Sequence, residues 1–365
     1  MDQRTVLLAL QEMKGIGWKT VLQLVAECPE LARIREMSVA ELVGIGIQSS
    51  KANTILTELN ERDWSHVEEG YKNKGITCVT IWDEPYPRIL RETSQPPWVL
   101  YCIGNTELLN RPGIAVVGTR NPTVYGRKAA EDIAVYLSSA GATVISGLAR
   151  GIDSAAHTGA LTGSSRTIAV VGGGVDVVYP PENAGLRAEI ASRGLILSEF
   201  PPGTKVLPGL FPLRNRIIAG LALATVVVEA AERSGSLITA DQALDESRDV
   251  FAVPGPMNSP KSRGANLLLR QGARIVTEPA DILRDFEHIT GINMKLAKSD
   301  LGVVLTPDEQ RIIGFLSHEP MTIDDLLVES QTNFGLLHEV LLSLTLKKSI
   351  KALPGAAYVR IESNC

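Results

Sequence analysis

The stretch from Gly113 to Asp153, GIAVVGTRNPTVYGRKAAEDIAVYLSSAGATVISGLARGID, constrains this chain more than any other. Ile114 to Val117 is an unbroken apolar run, the pattern of a buried strand. Gly118 stops it, Thr119 and Arg120 follow at once, and a helical pattern runs from about Thr123 to Ala140. Thr143 to Ser146 repeats the apolar run, ends at Gly147, and has Arg150 just beyond it. Strand, glycine turn, helix and strand form the βαβ unit of a parallel sheet, and such sheets take ligands at the carboxyl ends of their strands. Both strand ends carry glycine, a hydroxyl residue and arginine, which together suit a phosphate.

The alternation continues to about residue 290. Strands are expected at Arg166 to Val171, Leu195 to Phe200, Thr225 to Glu229, Asp249 to Val253 and Arg274 to Thr277, with helices at Arg216 to Leu223, Leu237 to Glu246, Asn266 to Gln271 and Pro279 to Phe286. Residues 111–290 therefore read as a doubly wound α/β domain. Residues 1–62 read as a small all-α domain in which Gly15-Ile16-Gly17 and Gly44-Ile45-Gly46 turn between helices. This is the pattern of a helix-hairpin-helix or SAM-like fold, or of a plain bundle cornering on glycine. Residues 63–110 read as a proline-stiffened connecting segment with strands near Ile76 to Trp82 and Trp98 to Ile103. Residues 291–302 are polar and read as a linker. Residues 303–365 give three helices and a hairpin, the outline of a winged helix, with few basic residues beyond Lys347, Lys348 and Lys351.

Charge bears on the ligand. The chain of 365 residues has a net charge of −5, so it is not a basic nucleic-acid coat. Residues 111–290 nevertheless hold 18 basic and 17 acidic side chains, against 11 and 15 in residues 1–110. A local basic groove is compatible with an acidic total. Cys28, Cys78, Cys102 and Cys365 have no metal-ligand spacing and fit a reducing cytoplasm, and no apolar run is long enough for a membrane span or a signal peptide.

Five further turns carry candidate chemistry. Ser146 to Asp153 repeats the Gly–Arg pattern, and Asp153 is placed to cap a helix carrying His157 four residues on, a structural role rather than a catalytic one. Gly172, Gly173 and Gly174 form a third strand-end turn, followed by Tyr179, Pro180, Pro181, Glu182 and Asn183. Phe211, Arg214, Asn215 and Arg216 fall at an expected helix start, where cations oppose the helix dipole unless an anion lies between them. Ser234, Gly235 and Ser236 make a fourth strand-to-helix turn, and Lys261 and Arg263 a polar loop after another strand. The dinucleotide fingerprint GxGxxG is absent, so NAD is disfavoured. One nucleotide needs one or two such turns; a run of them suits a strand of nucleic acid.

The runs GTRNPTVYG, SGLARGIDSAAH, VVGGGVDVVYPPEN, FPLRNRIIAGL, ERSGSLITADQALDESRDVFAVPG and GANLLLRQGA, in this order, resemble the DprA (Smf) family of DNA-processing proteins over about residues 70 to 290. The resemblance implies an enlarged Rossmann-like fold that binds single-stranded DNA without sequence preference. It further implies a homodimer through that domain, loading of the RecA recombinase during natural transformation, and no catalysis, metal or cofactor. It assigns a DNA contact to Arg120. The family often has a lysine just after the Tyr-Pro pair, where this chain has Pro181 and Glu182, so that contact is not carried over. The full expected DNA-binding set is Gly118, Thr119, Arg120, Tyr125, Gly147, Arg150, Gly173, Gly174, Tyr179, Phe211, Arg214, Asn215, Arg216, Ser234, Gly235, Ser236, Lys261 and Arg263. The alternative is a nucleoside monophosphate glycosidase on the same Rossmann variant, although its glycine-rich turn with a following glutamate is not reproduced in ERSGSLITA.

Overall fold

The computed structural model describes residues 1–289, 291–294, 306–317, 319–346 and 349–360, in two units that divide at residue 300. The larger opens with helices α1 (Gln3–Glu12), α2 (Trp18–Glu27), α3 (Val39–Gly44), α4 (Ser49–Glu61) and α5 (Val67–Lys72). Both glycine pairs sit between helices as the sequence suggests, and Ser38 starts α3 with a reciprocal capping box to Glu41. The helices close on Leu7, Leu10, Leu24, Leu42, Ile55 and Leu59, and this core runs on into the sheet through Trp98, Tyr101 and Ile196.

The sheet follows: β1 (Thr77–Thr80), α6 (Arg88–Arg91), β2 (Val99–Gly104), β3 (Gly113–Val117), α7 (Val124–Ser139), β4 (Thr143–Ser146), α8 (Ile152–Thr162), β5 (Thr167–Val170), α9 (Ala184–Arg193), β6 (Leu195–Ser198), α10 (Leu210–Leu221), β7 (Ala224–Val227), α11 (Gly235–Asp245), β8 (Asp249–Ala252), α12 (Arg263–Arg270), β9 (Arg274–Ile275) and α13 (Ala280–Leu283). Its nine strands run in the order β1-β2-β6-β5-β4-β3-β7-β8-β9. From β6 to β9 all neighbours are parallel, whereas β1 and β2 are antiparallel additions at the β6 edge. Residues 77–104 thus do more than connect, because they widen the sheet by two strands. The chain winds outward from β3 to β6 and then returns to β7 on the other side of β3, so the winding reverses between β3 and β7.

Glu12 locks the helical region to this sheet. Its Oε1 accepts hydrogen bonds from Tyr71 Oη at 2.6 Å and from Tyr101 Oη, on β2, at 2.9 Å. Burial first, and the nearby Glu12 carboxylate next, push both phenols above their ordinary pKa. Trp18 and Trp98 stack beside them at 6.0 Å between ring centroids.

The smaller unit has α14 (Pro307–Phe315), β10 (Met321–Thr322), α15 (Ile323–Ser330), α16 (Phe334–Leu346), β11 (Ile350–Leu353) and β12 (Ala357–Arg360), with strand order β10-β12-β11. Three helices and a small sheet around Ile312, Leu326, Leu337 and Leu341 make the expected winged helix. Lys347 and Lys348, and residues 295–302 of the expected linker, lie outside the described residues.

Replacing Glu12 by alanine strands the fully buried Tyr101 hydroxyl and the Tyr71 hydroxyl. Unfolding followed by denaturant titration should show a loss of about 1–3 kcal/mol. An unchanged midpoint would mean that Glu12 does not tie the helices to the sheet.

Candidate nucleic-acid interface

Five residues after β4, Gly151 starts α8 with a φ of 81°, a left-handed value that glycine adopts without strain. Its Cα packs against the backbone of Thr119 and Arg120, so the loop after β4 rests on the loop after β3. Asp153 does not cap α8 as the sequence suggests. It is the helix's second residue, and its Oδ2 reaches back to accept from the amides of Gly147 at 3.2 Å and Ala149 at 3.4 Å. His157, fully buried, accepts from the Leu148 amide at Nε2, 3.2 Å away. The Thr167 hydroxyl donates to the Val144 carbonyl, so His157 Nδ1 carries the proton and donates to Thr167 Oγ1 at 2.7 Å. These bonds hold Leu148 at a φ of 53°, a conformation that costs a branched residue about 1–2 kcal/mol. The loop is set in shape before any ligand arrives.

Beneath it lies Arg214. Pro212 is accepted in the first turn of α10, where its missing N–H had no partner, so the helix begins at Leu210 rather than near Arg216. Arg214 is consequently inside the helix, 5% exposed, and donates to the carbonyls of Gly147 and Val170 and to Asn215 Oδ1. A Cβ on Gly147 would overlap its guanidinium. Burial pulls the Arg214 pKa down to about 10, with Asp153 opposing, so it stays cationic at neutral pH. Burial likewise raises Asp153, opposed by Arg214 and the loop amides.

Above this floor two hollows adjoin at the carboxyl ends of the central strands. One, of about 270 Å³, lies at the reversal between β3 and β7 and is walled by Gly118, Arg120, Asp153, Arg214, Arg233 and the Ser234-Gly235-Ser236 turn. The other, of about 180 Å³, lies over β4 and β5 and is walled by Gly147, Arg150, Gly172, Gly173, Tyr179 and Val206. Arg120, Ala149 and Phe211 wall both, so the two are one trough. The exposed Arg120 guanidinium lies 5.2 Å from the Phe211 ring centroid, and Tyr179 tilts against that ring at 5.9 Å. Four arginines face one buried carboxylate here. Arg150 is paired with Glu182 at the rim, an exposed contact that an anion displaces cheaply.

Several expected residues take other places. Arg216, expected to hold phosphate beside Arg214, lies outside the trough: its guanidinium is engaged by Glu199 and the Gln95 carbonyl. Thr119 turns its amide to the Glu229 carbonyl, and its Oγ1 accepts from Asn121. Gly174 is buried behind the trough and donates to the Thr204 carbonyl. Asn215 walls the trough and supports Arg214. Tyr125, Lys261 and Arg263 lie further along the same edge, beyond β7. Arg233, Asn121 and Val206 wall the trough and were not singled out from the sequence. Arg233 lies directly before Ser234, but only the pairing of β3 with β7 brings that turn beside Arg120.

The sequence pattern of the family described as DNA recombination-mediator protein A matches residues 77–287, and that of the DprA winged helix domain matches residues 298–356. The protein Smf of a Synechocystis species is 32% identical across 97% of this chain and 98% of its own length. The solved structure of DNA processing protein A from Streptococcus pneumoniae is 35% identical and superposes with a TM-score of 0.70 over 79% of this chain and 99% of that one. That of DNA processing protein A from Helicobacter pylori, which concerns its single-stranded DNA binding mode, is 32% identical with a TM-score of 0.53 over 58% and 95%.

Burial holds the His157 imidazole down at about 3, against an ordinary 6.5, because the charged ring would lose its water and face Arg214. The folded chain therefore resists a proton that the unfolded chain takes up below pH 6.5, and its stability falls as the pH drops. Between pH 6.5 and 5 this contribution approaches about 1.4 kcal/mol per pH unit. Denaturant titrations across that range should show the slope, and His157→Gln should lack it. Equal slopes would place a charged imidazole in the fold.

Proposed function

The chain belongs to the DprA (Smf) family of DNA processing proteins, and we propose that its trough grips the sugar–phosphate backbone of single-stranded DNA without reading base sequence. The observation that carries this is the continuity of the trough. The turns after β3, β4, β5 and β7 share one hollow, lined by glycines that let the chain pack closely beneath it and by guanidinium groups that bind phosphate through paired hydrogen bonds. Arg120 stands at its centre, exposed and with no ion-pair partner among the described residues. Arg233 flanks it, and Arg214 adds a fixed charge from below. Phe211 and Tyr179 offer aromatic faces on which any base stacks, worth about 1–3 kcal/mol each. The relative from Helicobacter pylori, studied for its single-stranded DNA binding, supports the same reading.

In this reading the chain works in the cytoplasm as a homodimer through its α/β domain and hands the coated strand to the RecA recombinase. Among the described residues no helix is long and apolar enough to cross a membrane. No bond-making step is assigned to the trough. Its buried carboxylate, Asp153, is committed to the Gly147 and Ala149 amides, and Glu229 behind it holds the Thr123 amide and hydroxyl at the start of α7.

Arg120→Ala should weaken binding of a labelled oligothymidylate several-fold and reduce the salt slope of the affinity by roughly 0.7, the share of one phosphate on a single strand. Anisotropy titrations at several salt concentrations read both quantities. An unchanged slope would remove Arg120 from the phosphate contacts. In the same preparation nucleoside monophosphates should release no free base; steady release would favour a glycosidase.

A further inference from the structure

Beyond β7 the carboxyl edge of the sheet carries a second, apolar hollow of about 550 Å³. It lies between the start of α7 and the ends of β8 and β9, with Val124, Tyr125, Ile133, Val253 and Val276 as its walls. Val124 is 89% exposed and Tyr125 53%, a large apolar surface to leave in water at the first turn of a helix. Its place in the chain joins it to the trough. The loop that leaves β3 walls the trough at Gly118, Arg120 and Asn121, and three residues later it walls this hollow at Val124. Three residues of extended chain span about 10 Å at most. The Thr123 cap on Glu229, at the end of β7, fixes that junction.

Two features give this hollow the chemistry of a nucleic-acid seat. The Tyr125 hydroxyl donates to the Pro254 carbonyl at 3.4 Å, which orients the ring while leaving over half the side chain open for stacking. Pro254 leads into Gly255, against which Ser262 packs, and the preceding Lys261 has no ion-pair partner among the described residues. An aromatic face with a nearby free cation is the pairing that single-strand binders use for successive nucleotides. In the wall Lys128 is held by Asp132 and Glu278 by Arg284, so those charges are matched, and Lys261, outside the wall on the loop that packs on Gly255, is the cation offered to a phosphate.

We propose that this hollow is a second seat for nucleobases, occupied by the single strand as it runs out of the trough past β7 toward β9, with Tyr125 stacking on a base and Lys261 meeting its phosphate. The proposal rests on the trough being the primary single-strand site. It adds that the binding path is longer than the trough, so affinity keeps rising after the trough is full.

A ladder of oligothymidylates of increasing length, titrated against the full chain, tests it. The wild type should gain affinity in two stages. Tyr125→Ala and Lys261→Ala should each leave the affinity of the shortest binding oligonucleotide within about twofold, and should lower that of the long ones roughly fivefold or more. Tyr125→Phe keeps the ring and should behave as the wild type. Abasic sugars at the positions added in the second stage should abolish the gain. The proposal is overturned if the long oligonucleotides bind the Tyr125→Ala variant as tightly as the wild type, or if short and long ones weaken equally. It is overturned also if abasic sugars give the same gain as thymidines. Failure of every oligonucleotide to bind the wild type would instead remove the trough itself.

Discussion

The guanidinium of Arg214 holds the binding edge together. It is buried, a costly place for a charge unless it is hydrogen-bonded and faces an opposite charge. The carbonyls of Gly147 and Val170 meet it from the ends of β4 and β5, Asn215 from its own helix, and the Asp153 charge from α8. One side chain thereby ties two strand ends and two helices at the depth where their loops emerge. Phe211, three residues earlier on α10, is set on the same helix face and lies 5.9 Å from that guanidinium. What rises above Arg214 can then be irregular and polar without collapsing. The left-handed Leu148, the glycine turns and the exposed Arg120 all stand on this base.

The same arrangement explains how an acidic chain presents a cationic surface. Several arginines outside the trough are matched to carboxylates, as Arg274 is to Asp249 and Asp285, and Arg284 to Glu278 and Asp281. Arg120 and Arg233 have no such partner among the described residues. Low dielectric walls and a buried cation below concentrate their field into the hollow, where a phosphate gains more than it would at an open surface. The total charge says little about this, because the field depends on which charges are left unmatched and where.

Much of this was legible in the sequence because parallel strands announce themselves. Thr143 to Ser146 is a strand with the limits its apolar run gives, and the turns after β3, β4, β5 and β7 carry the glycines and hydroxyls that mark them. Other features depend on contacts between distant segments. Arg214 and Arg216 look alike in FPLRNR, yet one faces inward beneath the trough and the other is drawn to Glu199, because a helix rotates successive residues by about 100°. The start of α10 at Leu210 was hidden by Pro212, which reads as a helix breaker unless it falls in the first turn. The strands β1 and β2 belong to the sheet only because β2 pairs antiparallel to β6, a partner almost a hundred residues later. Arg233 becomes part of the site only when the strand order places β7 beside β3.

The central claim is that a single strand lies along the carboxyl edge of the sheet, over Phe211 and Tyr179. Ultraviolet cross-linking of an oligonucleotide carrying photoreactive uridines, followed by peptide mass mapping, tests this most directly. The account predicts cross-links in the segments that hold Tyr179 and Phe211. Cross-links confined to the helices of residues 1–62 or to the winged-helix unit, with none along the strand-end loops, would contradict it.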